Sequence, residues 1–381
     1  MTAATVATPA DAGLPSLDAD ARTNAAWHAR FTRAEIQDLL RVSSARGWLS
    51  IAINWGLIAA SFALVGLWPN PLTVVVALFV IGGRQLGCAI LMHEASHRTL
   101  LADRRWNDWV GSWLCAYPIW SDLHAYRPYH LQHHAKNYTA EDPDLGLVLP
   151  FPITRASLRR KFVRDLTGQT GRKFARAAWR RSVARWRAGD ANGRRAFVGF
   201  LVTNGLLLAV LTAFGKPWLY LLWAGAWLTT NTLVTRIRAI AEHAMVPDPG
   251  DPLRNTRTTL ASAWERLLLA PNRVNYHLEH HLLMTVPHYR LPRMHRMLAE
   301  RGLLDDALVT KGYRAVLSRA ASKGEEGAAA VAPAASASRW PRRSPRAAPG
   351  SCSRTSTKPP WRSAHDRSRR AAPRSCASPP T

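Results

Sequence analysis

Nine of the chain's 14 histidines fall into short, regularly spaced groups. His93 and His97 lie in HEASH, His130, His133 and His134 in HLQHH, and His277, His280 and His281 in HLEHH, while His243 follows Glu242 on its own. On a helix, positions i, i+3 and i+4 share a face, so each His-x-x-His-His presents three imidazoles together. Adjacent histidines point ~100° apart, which suits two neighbouring metals better than one crowded ion. Imidazole-only ligation favours borderline metals such as iron or zinc. Nine ligands are too many for one four-coordinate zinc and suit two six-coordinate ions with open positions. HEASH by itself also fits a zinc peptidase, with His93 and His97 as ligands and Glu94 as general base, but that leaves seven clustered histidines without a task. A non-catalytic metal transporter is a further reading. His28, His288, His295 and His365 have no such spacing and are expected to be ordinary structural residues.

The elements that must position these groups are apolar. Four runs, at 48–68, 72–92, 197–214 and 218–235, are each long enough, or nearly so, to cross a hydrocarbon core of ~30 Å as a helix. The first and third lack the polar face of a soluble core helix. The loops within each pair are a few residues long, so the chain is expected to be an all-α integral membrane protein with four transmembrane helices in two hairpins. A hairpin returns the chain to the side it left. The N-terminal segment 1–47, the 93–196 loop and everything after Thr235 then share one face, and the positive-inside rule makes it cytoplasmic, since the opposite loops contain only Lys216. All nine histidines fall on that face, in a helical cap where helices leave the bilayer. No apolar run begins before Trp48, so a signal peptide is not expected. Arg84 would sit ~13 Å deeper than His93 on the same helix, as part of a substrate channel or in a structural bond with Asn204 or Asn231.

The formal charge of +26, from 51 Lys+Arg against 25 Asp+Glu, first suggests an anionic partner. Its distribution excludes nucleic acid as the primary reading: 19 basic residues lie between His93 and Ala196, flanked by apolar runs, with no C2H2 finger or basic zipper. The basic segment 171–187, with Trp179 and Trp186, reads as an interfacial helix in anionic headgroups, with a docking surface as the alternative. Trp106, Trp109 and Trp113 suggest a second half-embedded element. Cys88, Cys115, Cys352 and Cys376 form no C-x-x-C pair, so no disulfide framework, thiolate zinc site or iron–sulfur cluster is expected, and an electron carrier would be a separate protein. Residues 320–381 form a basic Ala/Pro/Arg/Ser-rich tail expected to be disordered, with a shifted reading frame as a second origin for its composition.

With HEASH, YRPYHLQHH followed by EDPDL, and NYHLEHHLLMTVPHYRLP in place, the chain resembles the integral-membrane fatty-acid desaturases over residues 48–319. The resemblance implies a non-haem diiron centre with His93, His97, His130, His133, His134, His243, His277, His280 and His281 as ligands, O2 as co-substrate and an acyl-lipid substrate drawn from the membrane. It also implies an external electron donor of the ferredoxin or b-type cytochrome class with its reductase, and residence in the bacterial inner membrane. Glu94, Asp142, Asp144 and Glu279 would then orient ligand imidazoles, with His124 as an alternate or supporting group. The first box is the short H-x3-H form, Ala239 stands where stearoyl-CoA types place Asn, and His277 replaces the Gln of front-end types. No His-Pro-Gly-Gly haem motif occurs. A diiron hydroxylase or ketolase of alkyl, sphingoid or carotenoid chains is the nearest alternative activity. Because the tail's composition cannot build a core, a stop codon near Ser322 is expected to leave insertion and activity intact, which expression of the truncated chain would check.

Overall fold

The computed structural model describes residues 27–324. The tail read as disordered falls, from residue 325 on, outside the described residues. A capping box opens α1 (Arg33–Leu39): Thr32 accepts from the Glu35 amide, and the Glu35 carboxylate accepts from the Thr32 amide in return. The long helices α2 (Ser44–Leu67) and α3 (Pro71–Ser96) follow. Asn70 caps α3 through the Thr73 amide, and Pro71 takes the first helical position, where its missing N–H costs nothing. At 26 residues α3 is ~39 Å long, enough to span an apolar layer and carry His93 beyond it. The two helices approach closely where Asn54 of α2 donates to the Arg84 carbonyl and contacts Cys88 of α3.

Beyond α3 the chain forms α4 (Arg104–Val110), one π-helical stretch (Gly111–Ala116), then α5 (Leu123–Ala135), α6 (Leu145–Val148), α7 (Arg155–Leu166) and α8 (Gln169–Arg187). Trp106 and Trp109 on α4, and Phe174, Trp179 and Trp186 on α8, are exposed. That disposition suits elements lying at a membrane surface. The third long apolar helix is α9 (Ala191–Ala213). Among the described residues, three stretches are long and apolar enough to cross a membrane, those containing α2, α3 and α9. Exposed side chains such as Leu49, Ile53, Leu72, Val75, Leu201 and Leu206 cover their outer faces. A water-facing surface of that kind would aggregate; in lipid it is solvated. The protein is a membrane protein.

The fourth apolar run departs from the expected single helix over 218–235. It divides into α10 (Tyr220–Leu228) and α11 (Thr230–His243), with Thr229 between them at non-helical φ −121°, ψ −85°. Threonines make the break tolerable by satisfying backbone oxygens. Thr229 Oγ1 bonds the Gly225 carbonyl at 2.6 Å, Thr232 Oγ1 bonds the Thr229 carbonyl at 2.7 Å, and Thr230 Oγ1 reaches across to the Leu78 carbonyl of α3. Past the break α11 becomes amphipathic. Arg236 pairs bidentately with Asp165 of α7, a fully buried carboxylate that also accepts from Thr170.

Among the described residues, the departure from an all-α fold lies in the C-terminal part. Strands β1 (Thr258–Leu260) and β2 (Val309–Lys311) pair in parallel, with Thr258 opposite Val309 and Leu260 opposite Lys311. Three of the four residues from Thr256 to Thr259 are β-branched, which suits this extended region. Around this ladder stand α12 (Ala263–Leu268), α13 (His277–Leu282), α14 (Leu291–Glu300) and α15 (Tyr313–Ala320). Ala320 and Lys323 exchange backbone bonds with Ile153, so the folded chain runs slightly beyond the 319/320 boundary expected from composition. The earliest cut that spares these bonds is therefore after Lys323.

Close packing between α3 and the α10–α11 break depends on Gly82. A Cβ there would lie 2.2 Å from Thr230 Oγ1 and 2.8 Å from the Asn231 amide, whereas one at Gly56 on α2 would meet nothing within 4 Å. Gly82→Ala should destabilise the detergent-solubilised protein by ~1–3 kcal/mol through overpacking. Gly56→Ala should be neutral or stabilise it by up to ~1 kcal/mol through helix propensity. Thermal unfolding of the two variants side by side checks this.

Candidate metal centre

Four helix segments converge to bring the nine clustered histidines together. His93 is in the last turn of α3 and His97 caps its end. His130, His133 and His134 come from α5, His243 is the last residue of α11, and His277, His280 and His281 lie on α13. Seven of the nine are buried, and His134 and His281 are partly so. The neighbouring pairs divide. His93, His97, His130, His134 and His280 form one group, whose nitrogen donors lie within 4.8 Å of one another. His133, His243 and His281 form a second, and His243 also joins His277 and Glu242 in a third set that extends it. Thus His134 and His280 turn one way while their neighbours His133 and His281 turn the other, as the ~100° step between adjacent helix residues requires. The groups touch where the His134 and His281 rings stack at 4.2 Å.

Polar neighbours set the faces of several rings. His133 Nδ1 bonds Asp142 Oδ1 at 2.8 Å, which leaves Nε2 turned inward, 3.2 Å from His243 Nε2. Asp144 lies at the edge, 3.9 Å from His133 Nδ1, and accepts from the Tyr129 hydroxyl. Glu242, not singled out from sequence, stands 3.6 Å from His277 Nδ1 and is held by Arg238 at 2.6 Å. Glu94 faces His93 Nδ1 at 3.6 Å, and its other oxygen accepts from Thr99 and His288. Glu279 is fully buried but bonds Thr258 and His295 rather than a clustered imidazole. His124 is half-buried and belongs to none of the nitrogen groups. His288 and His295, which sequence spacing consigns to the background, are the partners of two of the buried carboxylates. A lone histidine carries no periodic signal that could reveal this.

Buried and partly buried arginines hold the helix ends that carry the ligand-type residues. The last carbonyls of a helix lack intrahelical donors, and burying them unsatisfied is costly. Arg127 donates to the carbonyls of Ala95 at 2.9 Å and Ser96 at 3.0 Å, at the end of α3, and pairs with Asp108. Arg257, 1 % exposed, donates to Ala241 at 3.0 Å and Ala244 at 2.9 Å at the end of α11. Burial pulls its pKa down to about 10, so it is charged at neutral pH and complements the helix dipole. Arg84 does the same for α12, donating to the carbonyls of Leu267 and Arg266. Its partners are thus backbone oxygens rather than Asn204 or Asn231, and it works as a structural cap.

The donor set fits a borderline metal. Both ring nitrogens of His93, Nε2 of His97, Nδ1 of His243 and Nε2 of His281 are buried without a hydrogen-bond partner. Orphaned nitrogens of this number are rare in proteins, and coordination to a metal would satisfy them. Glu94, by contrast, has one oxygen taken up by three donors, an arrangement unlike a peptidase base kept free for metal-bound water. Burial holds the imidazoles neutral: His97 is lowered to about 3, and His130, His134, His243, His277, His280 and His281 are all held well below the ordinary value. Neutral imidazole is the ligating form. Tyr126, whose ring stacks on His130 at 5.1 Å, also lines a cleft of about 390 Å³ together with Trp120, Asp122, Tyr129, Arg181 and Arg185.

These shifts carry a sign. Each depressed imidazole leaves the unfolded chain binding more protons than the folded one below pH ~6.5, so stability is full above that value and is lost as pH falls toward the folded-state value, about 3 for His97. At pH 5.5 each such group costs up to ~1.4 kcal/mol. Metal-free protein should therefore lose several kcal/mol between pH 7.5 and 5.5 in equilibrium unfolding. A flat profile would mean the imidazoles are solvated.

Comparison with known proteins fits this geometry. The chain is 27% identical over 273 residues to the dihydrorhizobitoxine desaturase of Bradyrhizobium elkanii, a match covering 68% of this chain and 76% of that protein. The fatty acid desaturase family matches residues 66–311, which include every clustered histidine. Histidine groups able to hold metal, apolar helices and this match together make the chain an oxidoreductase and a member of the fatty acid desaturase family.

Proposed function

We propose that the protein is a membrane-bound acyl-lipid desaturase that introduces a C=C bond using O2 and two external electrons at a diiron centre. The balance is –CH2–CH2– + O2 + 2 e− + 2 H+ → –CH=CH– + 2 H2O. The observation that carries the reading is the division of nine imidazoles into two adjoining nitrogen groups, one of five and one completed by His277. Iron bound in these groups supplies the O2-dependent oxidation of an unactivated methylene, which no side chain can perform. The protein's own residues do the rest. His93, His97, His130, His134 and His280 would hold one iron, and His133, His243, His277 and His281 the other. Asp142 orients the His133 ring, Arg127 and Arg257 fix the helix ends, and the buried surroundings exclude water.

In this reading α2–α3 and α9 with α10–α11 form two membrane hairpins, the fourth crossing bending at Thr229. The N-terminal segment, the histidine groups and the C-terminal segment share the cytoplasmic face of a bacterial inner membrane, with α4–α8 and α12–α15 forming the cap. The cleft beside Tyr126 combines aromatic walls with Asp122, Arg181 and Arg185, a lining suited to an amphiphile with a polar head. Electrons come from a separate ferredoxin or b-type cytochrome with its reductase, because the sequence contains no carrier motif of its own. The desaturation substrate named for the Bradyrhizobium elkanii relative supports C=C formation as the outcome, while the acyl chain is assigned here from the family and the apolar setting.

The test is iron content of the purified full chain together with mass-spectrometric profiling of lipid double bonds in an expressing bacterium. About two irons per chain are expected, with new C=C bonds that vanish when His130, His133 or His134 is replaced by Ala. Less than one iron per active chain, or full activity with zinc, would sink the diiron assignment; new C–OH groups in place of C=C would identify a hydroxylase.

A further inference from the structure

We infer that His288 is a positioning residue for one of the two metals, acting through Glu94 on His93. The inference rests on the proposed reading of the histidine groups as a metal centre. Glu94 is 2 % exposed and its two oxygens have separate tasks. One, Oε2, accepts from the Thr99 hydroxyl at 2.9 Å, the His288 amide at 2.9 Å and His288 Nδ1 at 3.2 Å. The other, Oε1, faces His93 Nδ1 at 3.6 Å. The donors on Oε2 therefore decide which way the carboxylate turns and leave Oε1 for the imidazole. His93 has no hydrogen-bond partner at either nitrogen, so Glu94 is the group available to select its tautomer once Nε2 coordinates.

The His288 imidazole is held from behind: with its proton on Nδ1 toward Glu94, Nε2 accepts from the Ser50 hydroxyl of α2 at 2.8 Å. A purely structural role would be to fasten residues 288–290 to the N-terminal part, and that is already done without the ring. Tyr289 accepts from the Ser43 amide at 2.6 Å, Arg46 lies over the Tyr289 ring at 5.2 Å, and Arg290 donates to the Arg41 carbonyl at 3.0 Å. What the ring adds is a donor aimed at Glu94, in line Ser50–His288–Glu94–His93. Because His93 belongs to the five-histidine group and not to the other, the effect should be confined to one metal.

The experiment compares His288→Asn, which keeps a donor near the Nδ1 position, with His288→Leu, which has the same branching and no donor. Full-length chain in detergent is loaded with iron and challenged with a chelator, and iron per chain is followed with time. Outer-sphere losses typically weaken metal binding ~10–100-fold. His288→Leu should release one iron at least ~10-fold faster than the wild type and keep the second at the wild-type rate, while His288→Asn should stay within ~3-fold. Release from His288→Leu at the wild-type rate, equal release from both variants, or equal loss of both irons would each overturn the proposal. If His288→Leu does not insert, the Asn variant decides alone: a ~10-fold faster loss there refutes it and near-normal retention supports it. A wild-type chain that holds less than one iron would instead overturn the metal centre itself.

Discussion

Nitrogen lone pairs gathered where water cannot reach them impose the main constraint on this protein. Several imidazole nitrogens of the two groups are buried with no hydrogen-bond partner, and burial keeps the rings uncharged. An isolated chain gains nothing from such an arrangement, because each orphaned polar atom forfeits the hydrogen bonds it made with water. The groups must be forced together by the rest of the fold, and much of the architecture around them can be understood as the means of doing so.

One consequence appears at the helix ends. To place histidines at a common centre, α3 and α11 stop in the interior, where their last carbonyls would be left without donors. Arg127 and Arg257 supply those donors, each with a guanidinium that can serve more than one oxygen at once, and Arg84 repeats the device at α12. The turns are strained as well. The chain leaves α3 through Arg98 at φ +62° and leaves α11 through Met245 at φ +58°, and Asn272 and Arg273 ahead of α13 are also left-handed. At Arg98 the hydrogen bonds run from Thr99 to Glu94 and from Arg98 to Ala95, the pattern in which glycine is the usual choice. A non-glycine residue there costs roughly 1–3 kcal/mol, sustained only because the surroundings determine the path.

Lipid contact and site construction are linked through the break at Thr229. A straight helix through 218–243 would carry its apolar stripe on at one angle. Interrupting it lets α10 keep an all-round apolar surface while α11 turns an amphipathic face, with Arg236 paired to Asp165 of α7, and with Glu242 held by Arg238 beside His277. The threonines that cost helix propensity at 229, 230 and 232 are the same groups whose hydroxyls bond the carbonyls of Gly225 and Thr229 at the break and, across on α3, that of Leu78.

Residue periodicity alone makes the histidine groups legible, because i, i+3 and i+4 must share a helix face whatever the surroundings. The three long apolar helices are legible for a similar reason: unbroken apolar length has few other uses. The turning of Asp142 toward His133 is also within reach, since it follows the second box closely. Other features have no local signature. The split of the fourth run depends on hydroxyls reaching carbonyls on their own turn and on α3. The parallel β1–β2 pair joins residues some fifty positions apart. Arg84 resembles a channel group because a charge amid apolar residues has no visible partner in one dimension, whereas its partners are the carbonyls of Arg266 and Leu267, 182 and 183 positions away. His288 and His295 pass as background for the same reason. Spacing along one helix determines which side chains share a face; which carboxylate, carbonyl or hydroxyl that face meets is decided by packing between distant segments, and only the tertiary structure contains it.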